Sequence, residues 1–418
     1  MTPSNDRKDA QAPAVIPCAM ELLSERLFPD GIVAGQQLLL SGEPGVSKST
    51  LLLQALNGFA EAGVPCAYIT SEQKRPELQR RLQAVGTEKG IPLVKIHEAD
   101  SLETLSNLIS RPSVSFPHRV LVVDSLQGLG IGPSAQGEWE KLFGLMQFLR
   151  IQNIATFYVA HVRKDLQIAG PKKLEHEVDA VFSIRRAFAY RLLHVSKNRF
   201  GPSSAEPVVC TVDRIGRLFL AQRNEDVVVA KTAAFDSHGI AEIEAKVEFN
   251  INCRSRRPAL NGLAKHGYQK ITSILRGMSV DVGGFGSLVT CSLPGSRKYL
   301  PEHDLAIAMA FLSSYLQLPL RDDPILCGEL GLDGELRSLH PSLLQRLAAL
   351  IDQDFFYMRS RTIVMDAASA LVFKGMLDKI GKGRDLVLVK ANSLSGVAHH
   401  YLLHDPAPEP TCLEQEQV

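Results

Sequence analysis

The 418-residue sequence predicts an α/β protein: a core with a parallel-rich sheet, followed by a second domain. Three observations predict it. Strand-like and helix-like runs alternate from Gln37 onward, a glycine-containing loop sits between the first such strand and the first such helix, and the length exceeds what one hydrophobic core organises.

The loop is Gly42, Glu43, Pro44, Gly45, Val46, Ser47, Lys48, Ser49 and Thr50. Leu38-Leu39-Leu40 precedes it and Leu51-Leu52-Leu53 follows it, the setting of a phosphate-cradling G-x-x-x-x-G-K-[ST] motif. In that motif backbone N–H groups and a lysine hold the phosphates of ATP, and the hydroxyl after the lysine holds Mg2+. These roles point to Lys48 and Ser49. One position departs, because Ser47 stands where the second glycine belongs and brings a Cβ to a place that uses glycine's torsions.

The elements follow in order. Gln37–Leu40 reads as a strand, Ser49–Ala62 as a helix, Pro65–Thr70 as a strand and Pro76–Val85 as a helix. In such sheets ligands sit beyond the carboxyl ends of the strands. Glu72 lies just past one of those ends, where a carboxylate either orients a water or is simply solvated. Val120–Val123 is an apolar strand closed by Asp124, the arrangement that holds magnesium in phosphoryl-transfer enzymes. Gly128–Gln136 is loop, Glu138–Arg150 a helix, and Ile154–Ala160 a strand ending at His161. Arg163, Lys164, Lys172 and Lys173 then surround a Gly-Pro turn, equally readable as a phosphate-backbone contact or as a solvated loop.

Composition excludes several classes. Lys+Arg 46 against Asp+Glu 45 gives a formal net charge of +1, so the chain is not globally basic. Seven scattered cysteines without a C-x-x-C pair support neither a zinc site nor a disulfide framework. The polar stretch Met1–Pro13 has no apolar segment of a secretory signal. Leu305–Leu320 is too short to span a bilayer and reads as a buried helix, so no membrane partner is expected.

Lys197-Asn198-Arg199-Phe200-Gly201, taken with GEPGVSKST, Val122–Gln127 and Ile168–Asp179, resembles the bacterial RadA (Sms) family over roughly residues 25–222. The resemblance implies a RecA-like ATPase core, assembled as a homohexameric ring around single-stranded and branched DNA. It implies an ATP-driven motor for branch migration in recombinational repair, working beside a recombinase filament in the cytoplasm at the nucleoid. It places Lys48 and Ser49 on phosphate and magnesium, Glu72 on the attacking water, Asp124 on magnesium, and His161 as a γ-phosphate sensor. It places Lys197 and Arg199 on a neighbouring subunit's nucleotide and, with Arg163, Lys164, Lys172 and Lys173, on DNA.

The family's N-terminal four-cysteine zinc finger has no counterpart here, so zinc is not expected, and Pro202 follows the Lys197–Gly201 element where a polar residue is commoner. Val227 to Leu403 resembles the family's C-terminal domain, similar to the Lon protease domain, which implies an α+β fold for it. The Asp333-Gly334 pair within it independently signals a tight hairpin. A serine–lysine dyad is missing, since Glu302 and Arg346 stand at those places. This domain is therefore expected to be an oligomerisation platform and DNA surface, with Lys265, Lys270, Arg297 and Lys298 as candidate contacts. The predicted organisation is a tail 1–20, an ATPase domain 21–222, a connector 223–236, the Lon-like domain 237–404 and a tail 405–418. Ser47 leaves open a second function, a DNA-binding ring that holds ATP and barely hydrolyses it.

Overall fold

The computed structural model describes residues 14–110, 117–131, 135–161, 171–188, 190–203, 206–221, 229–236, 239–249, 257–283, 287–293, 298–352, 362–380, 386–402 and 414–417. The chain divides into two compact units, Met1–Arg185 with Arg191–Leu220, and Arg186–Tyr190 with Ala221–Val418.

The first unit runs β1 (Val15–Ile16), α1 (Glu21–Arg26), β2 (Ile32–Val33), β3 (Gln37–Gly42), α2 (Lys48–Glu61), β4 (Cys66–Thr70), α3 (Arg75–Val85), β5 (Val94–Glu98) and α4 (Leu102–Ile109). It continues with β6 (Val120–Asp124), α5 (Gln136–Ile151), β7 (Ala155–His161), α6 (Lys172–Glu177), β8 (Ala180–Ala187), β9 (Tyr190–Asn198), β10 (Val208–Val212) and β11 (Leu218–Leu220). Nine strands form one sheet in the order β11-β10-β9-β8-β3-β7-β6-β4-β5. From β8 to β5 every pairing is parallel. Consecutive apolar residues explain why. Leu38 and Leu40 pack with α2 and α3 on one face, whereas Leu39 joins Ala67, Val123 and Tyr158 against α4 and α5 on the other. A sheet covered on both faces needs apolar residues without alternation.

The second unit contains β12 (Val229–Asp236), β13 (Gly239–Phe249), β14 (Ala259–Asn261), α7 (Lys265–Gly277), β15 (Ser287–Ser292), α8 (Asp304–Leu316), β16 (Ile325–Leu326), β17 (Glu329–Leu330) and β18 (Leu336–Arg337). After them come α9 (Pro341–Asp352), β19 (Thr362–Met365), α10 (Ala367–Ile380), β20 (Val387–Lys390), α11 (Leu394–Leu402) and β21 (Glu414–Gln417). Its eight-stranded sheet, β14-β15-β13-β12-β16-β19-β20-β21, mixes antiparallel and parallel pairs, as an α+β domain does. Every residue of α8 is buried, in keeping with its apolar sequence. The Asp333-Gly334 turn joins β17 to β18 with Gly334 at φ +79°.

Two segments differ from their sequence reading. Val229–Asp236, inside the expected connector, is strand β12, paired with β13 along all eight residues. Val229 and Lys231 of β12 are exposed and every residue from Thr232 to Asp236 is buried, and the small alanines at 233 and 234 carry little of the bulk that marks a strand. Glu414–Gln417, inside the expected tail, pairs antiparallel with β20. Among the described residues no helix is long and apolar enough to cross a membrane.

Candidate functional site

Register assembles the site. Gly42 stands opposite His161 across β3 and β7, and Thr70 stands opposite Asp124 across β4 and β6. The loop after β3, Glu72 after β4, Asp124 and His161 therefore share one edge of the sheet, the carboxyl edge where ligands bind.

Gly42 cannot carry a side chain there, because a Cβ would stand 2.6 Å from the Ile184 carbonyl oxygen. Glu43, Pro44 and Gly45 form an exposed turn, Gly45 at φ +76°, and Val46 anchors the loop at 2% exposure. Ser47 adopts φ +75°, ψ +22°, the left-handed torsions a glycine would take. The backbone path thus survives the substitution at a strain of about 1–2 kcal/mol. Its side chain caps nothing, so the first-turn N–H groups of α2 keep their capacity for an anion.

Lys48 is buried, and its Nζ donates to the carbonyl oxygens of Gly42 and Glu43, each at 2.8 Å. Burial depresses its pKa, and the nearby Asp124, Glu72 and Glu43 carboxylates only partly offset that. Ser49 Oγ donates to Asp124 Oδ2 at 2.7 Å, and the buried hydroxyl of Tyr68 donates to the same oxygen. A hydroxyl and a carboxylate are hard oxygen donors of the kind Mg2+ selects, so the residues present fit that ion. Thr50 is buried in the first turn of α2.

Glu72 Oε1 accepts from Ser125 Oγ and lies 3.0 Å from His161 Nε2. Burial would raise the Glu72 carboxyl. Those two bonds, with the charges of His161 and Lys48, prevail and hold it below the usual glutamate range. Ser125 is locked by Ser71, whose Oγ donates to its carbonyl at 2.8 Å and accepts from its N–H at 2.9 Å. The His161 N–H donates to Gln127 Oε1 at 3.1 Å.

The remaining described candidates lie on α6 and at the end of β9. Lys172 and Lys173 are exposed on α6, Lys173 with its ammonium 4.8 Å from the Phe143 ring centroid, while Arg163 and Lys164 fall outside the described residues. Arg199 Nη1 donates to Asp179 Oδ1 at 3.3 Å. Asp179, at 1% exposure, also accepts from the Gln37 N–H at 2.9 Å and from Arg150 Nη1 at 2.9 Å. It ties the start of β3 to the Lys197–Gly201 segment. Lys197 Nζ donates to the main-chain oxygens of Glu175, His176 and Val178.

Tyr68, Ser125 and Asp179 escaped sequence reasoning. Tyr68 looks like one more apolar strand residue, Ser125 meets Glu72 from 53 positions away, and Asp179 meets Gln37, Arg150 and Arg199 from 142, 29 and 20 positions away. In the second unit, Lys265 and Lys298 are exposed and Arg297 lies outside the described residues. Lys270 corrects the reading of a surface contact, for it pairs with the buried Asp304 at 2.7 Å.

Known proteins add to this geometry. The KaiC ATPase family matches residues 17–216. The chain is 31% identical over 333 residues to the DNA repair protein RadA of Listeria monocytogenes, covering 75% of this chain and 71% of that protein. It belongs to the RadA family. A RadA from Mycobacterium tuberculosis is 28% identical over 347 residues, 79% of this chain and 72% of the relative. A KaiC-like protein from Pyrococcus horikoshii overlies 50% of this chain and 99% of its own at 18% identity, with a TM-score of 0.42. On the family match over residues 17–216, the first unit has the RecA-type phosphate-loop ATPase fold, and the α+β second unit is consistent with the family.

Proposed function

We propose that this chain is an ATP-hydrolysing DNA repair and recombination protein, working as a homohexameric ring that drives branch migration on single-stranded and branched DNA. The observation that carries the proposal is the convergence of Lys48, Ser49, Asp124 and an ionised Glu72 at one sheet edge. The repair role rests on the relatives' description as DNA repair proteins.

Lys48 would leave its loop carbonyls for the β/γ phosphate oxygens, alongside the N–H groups of residues 45–50. Ser49 and Asp124 would hold Mg2+, which when bound neutralises charge on the transferring phosphoryl group. Glu72, fixed by Ser125 and His161, would orient the attacking water and accept its proton, and His161 would report the γ-phosphate to the segment that follows it. Arg199 of an adjacent copy would supply transition-state charge. Lys172 and Lys173, with Arg163 and Lys164, would meet the DNA backbone. The second unit would serve assembly and DNA contact as a Lon-like domain without a protease dyad, in view of Glu302 and Arg346.

The left-handed backbone of Ser47 favours turnover over mere ATP retention, because the loop keeps the torsions of a glycine. The test compares native protein with Glu72→Gln in nucleotide binding and in ATP hydrolysis with and without single-stranded DNA. Expected are DNA-stimulated turnover in the native protein and a loss of about 100-fold or more in the variant with binding intact. A native protein that binds no nucleotide at millimolar ATP, or a variant as fast as the native, would overturn the proposal.

A further inference from the structure

Strand β4 is wholly buried, yet its middle residue, Tyr68, ends in a hydroxyl. The ring belongs with Val122, Leu52, Leu53 and Leu56 to the core between the sheet and α2. A phenylalanine would fill that place as well, and a buried hydroxyl costs free energy unless it is hydrogen-bonded. What the hydroxyl meets is therefore the reason for a tyrosine. Tyr68 stands opposite Val122 in the parallel pairing of β4 with β6, and Asp124 lies two residues further along β6 on the same face. That step is about 7 Å along the strand, a span the phenol bridges, and its O–H donates to Asp124 Oδ2.

Asp124 Oδ2 accepts a second bond, from Ser49 Oγ at 2.7 Å, and among the described residues no hydrogen bond reaches Oδ1. Two donors on one oxygen fix which way this buried carboxylate is turned, with the other oxygen left over. The donors are not equivalent. A serine hydroxyl has one hydrogen and two lone pairs, so giving the hydrogen to Asp124 keeps the lone pairs of Ser49 for a cation. Tyr68 is rooted in the core, where its hydroxyl has only the carboxylate to hold.

We propose that Tyr68 is a positioning residue for Mg2+: its hydroxyl locks the Asp124 carboxylate, so that Oδ1 and the Ser49 lone pairs are left for the ion. The inference deepens the ATPase reading above and rests on it for the presence of Mg2+. Groups that hydrogen-bond a metal-binding carboxylate orient it, and losing one typically weakens metal binding by about 10–100-fold. Loss of the phenol also leaves Oδ2 more negative. Oδ2 is the oxygen turned to the protein, however, so orientation decides the sign.

The test titrates a fluorescent, non-hydrolysable ATP analogue into the full chain at graded Mg2+ and in EDTA, with Tyr68→Phe, Asp124→Asn and the double variant. A cooperative melting transition verifies that each is folded. Expected for Tyr68→Phe is a Mg2+ half-saturation raised about tenfold or more, with affinity in EDTA within about twofold of native. Beside Asp124→Asn, the same change should move the half-saturation by less than about twofold, since the carboxylate it acts through is gone. Native Mg2+ dependence in Tyr68→Phe, or a loss of affinity equal with and without Mg2+, would leave the hydroxyl a packing feature and overturn the inference. So would a full effect that persists beside Asp124→Asn. A native protein that binds no nucleotide at millimolar ATP fails the ATPase reading and this inference with it, whereas a native protein that binds, beside a Tyr68→Phe variant of unchanged Mg2+ dependence, fails this inference alone.

Discussion

Two lysines, one in each unit, are taken out of water and meet opposite fates. Lys48 in the first unit is bonded to two loop carbonyls, and burial lowers its pKa despite three carboxylates in the vicinity. Lys270 in the second unit is bonded to Asp304 Oδ2 at 2.7 Å and Glu329 Oε1 at 3.4 Å. Burial pulls its pKa down too, but the Asp304 bond and charge more than reverse that, and the net shift is upward. Asp304 is fully buried, which raises its carboxyl even against Lys270. The ion pair stands nonetheless, because Asp304 also accepts from Tyr299 at 2.7 Å and from the Leu330 N–H at 3.2 Å. A desolvated cation resting on neutral oxygens retains its electrostatic demand for an anion. One paired with a satisfied carboxylate has met that demand inside the fold. The first describes a binding site and the second a structural brace.

Removing each ammonium gives the sharpest contrast. Lys270→Met strands Asp304 in the interior and should destabilise the second unit by about 3–5 kcal/mol, seen in urea unfolding, with nucleotide affinity unchanged. Lys48→Met should leave thermal stability at or above the native value while ATP affinity, read by fluorescent-nucleotide titration, falls about 100-fold. Equal stability losses in the two variants would dissolve the distinction.

His118 asks whether a depressed pKa alone marks a site. Burial, then the charges of His97 and Lys95, lower its pKa from 6.5 to about 4, and its ring centroid lies 6.2 Å from that of His97. A base whose folded pKa is depressed contributes stability that is complete above the unfolded pKa and lost as pH falls toward the folded one. The first unit should accordingly lose up to about 3 kcal/mol between pH 6.5 and 4, and His118→Phe should remove most of that acid sensitivity without altering ATP affinity. Melting curves across that range decide it. A fall in ATP affinity would make His118 part of the site.

Ser47→Gly should have the smallest effect. Relief of left-handed strain, offset by glycine's greater chain entropy, predicts about 0.5–1 kcal/mol of added stability. ATP turnover should stay within a few-fold of native, since the backbone path is already that of glycine. A large rise in turnover would mean that the serine Cβ obstructs the phosphates after all.

How far the site could be read in advance depended on the range of the interactions involved. The loop Gly42–Thr50 and the unbroken apolar strands were legible because local torsions and burial on both faces write themselves into consecutive residues. Asp124 and Glu72 were legible as carboxylates at strand ends. That Ser49, Tyr68 and Asp124 would meet was not, since the pairing of β4 with β6 brings Tyr68 to Asp124 and the placement of α2 brings Ser49 there. Strand β12 is not legible in the sequence, because its pairing with β13, not its composition, makes it a strand.

Sequence alone therefore determined the ATPase chemistry available to this protein and the edge of the sheet on which it would be found, because motif and periodicity are short-range properties. Tertiary structure alone decided what each charge is used for. Lys48, Lys197 and Lys270 are the same residue type, yet Lys48 rests on carbonyls of its own loop, whereas the carbonyls that Lys197 meets and the carboxylate that Lys270 meets come from segments whose approach only the folded chain specifies.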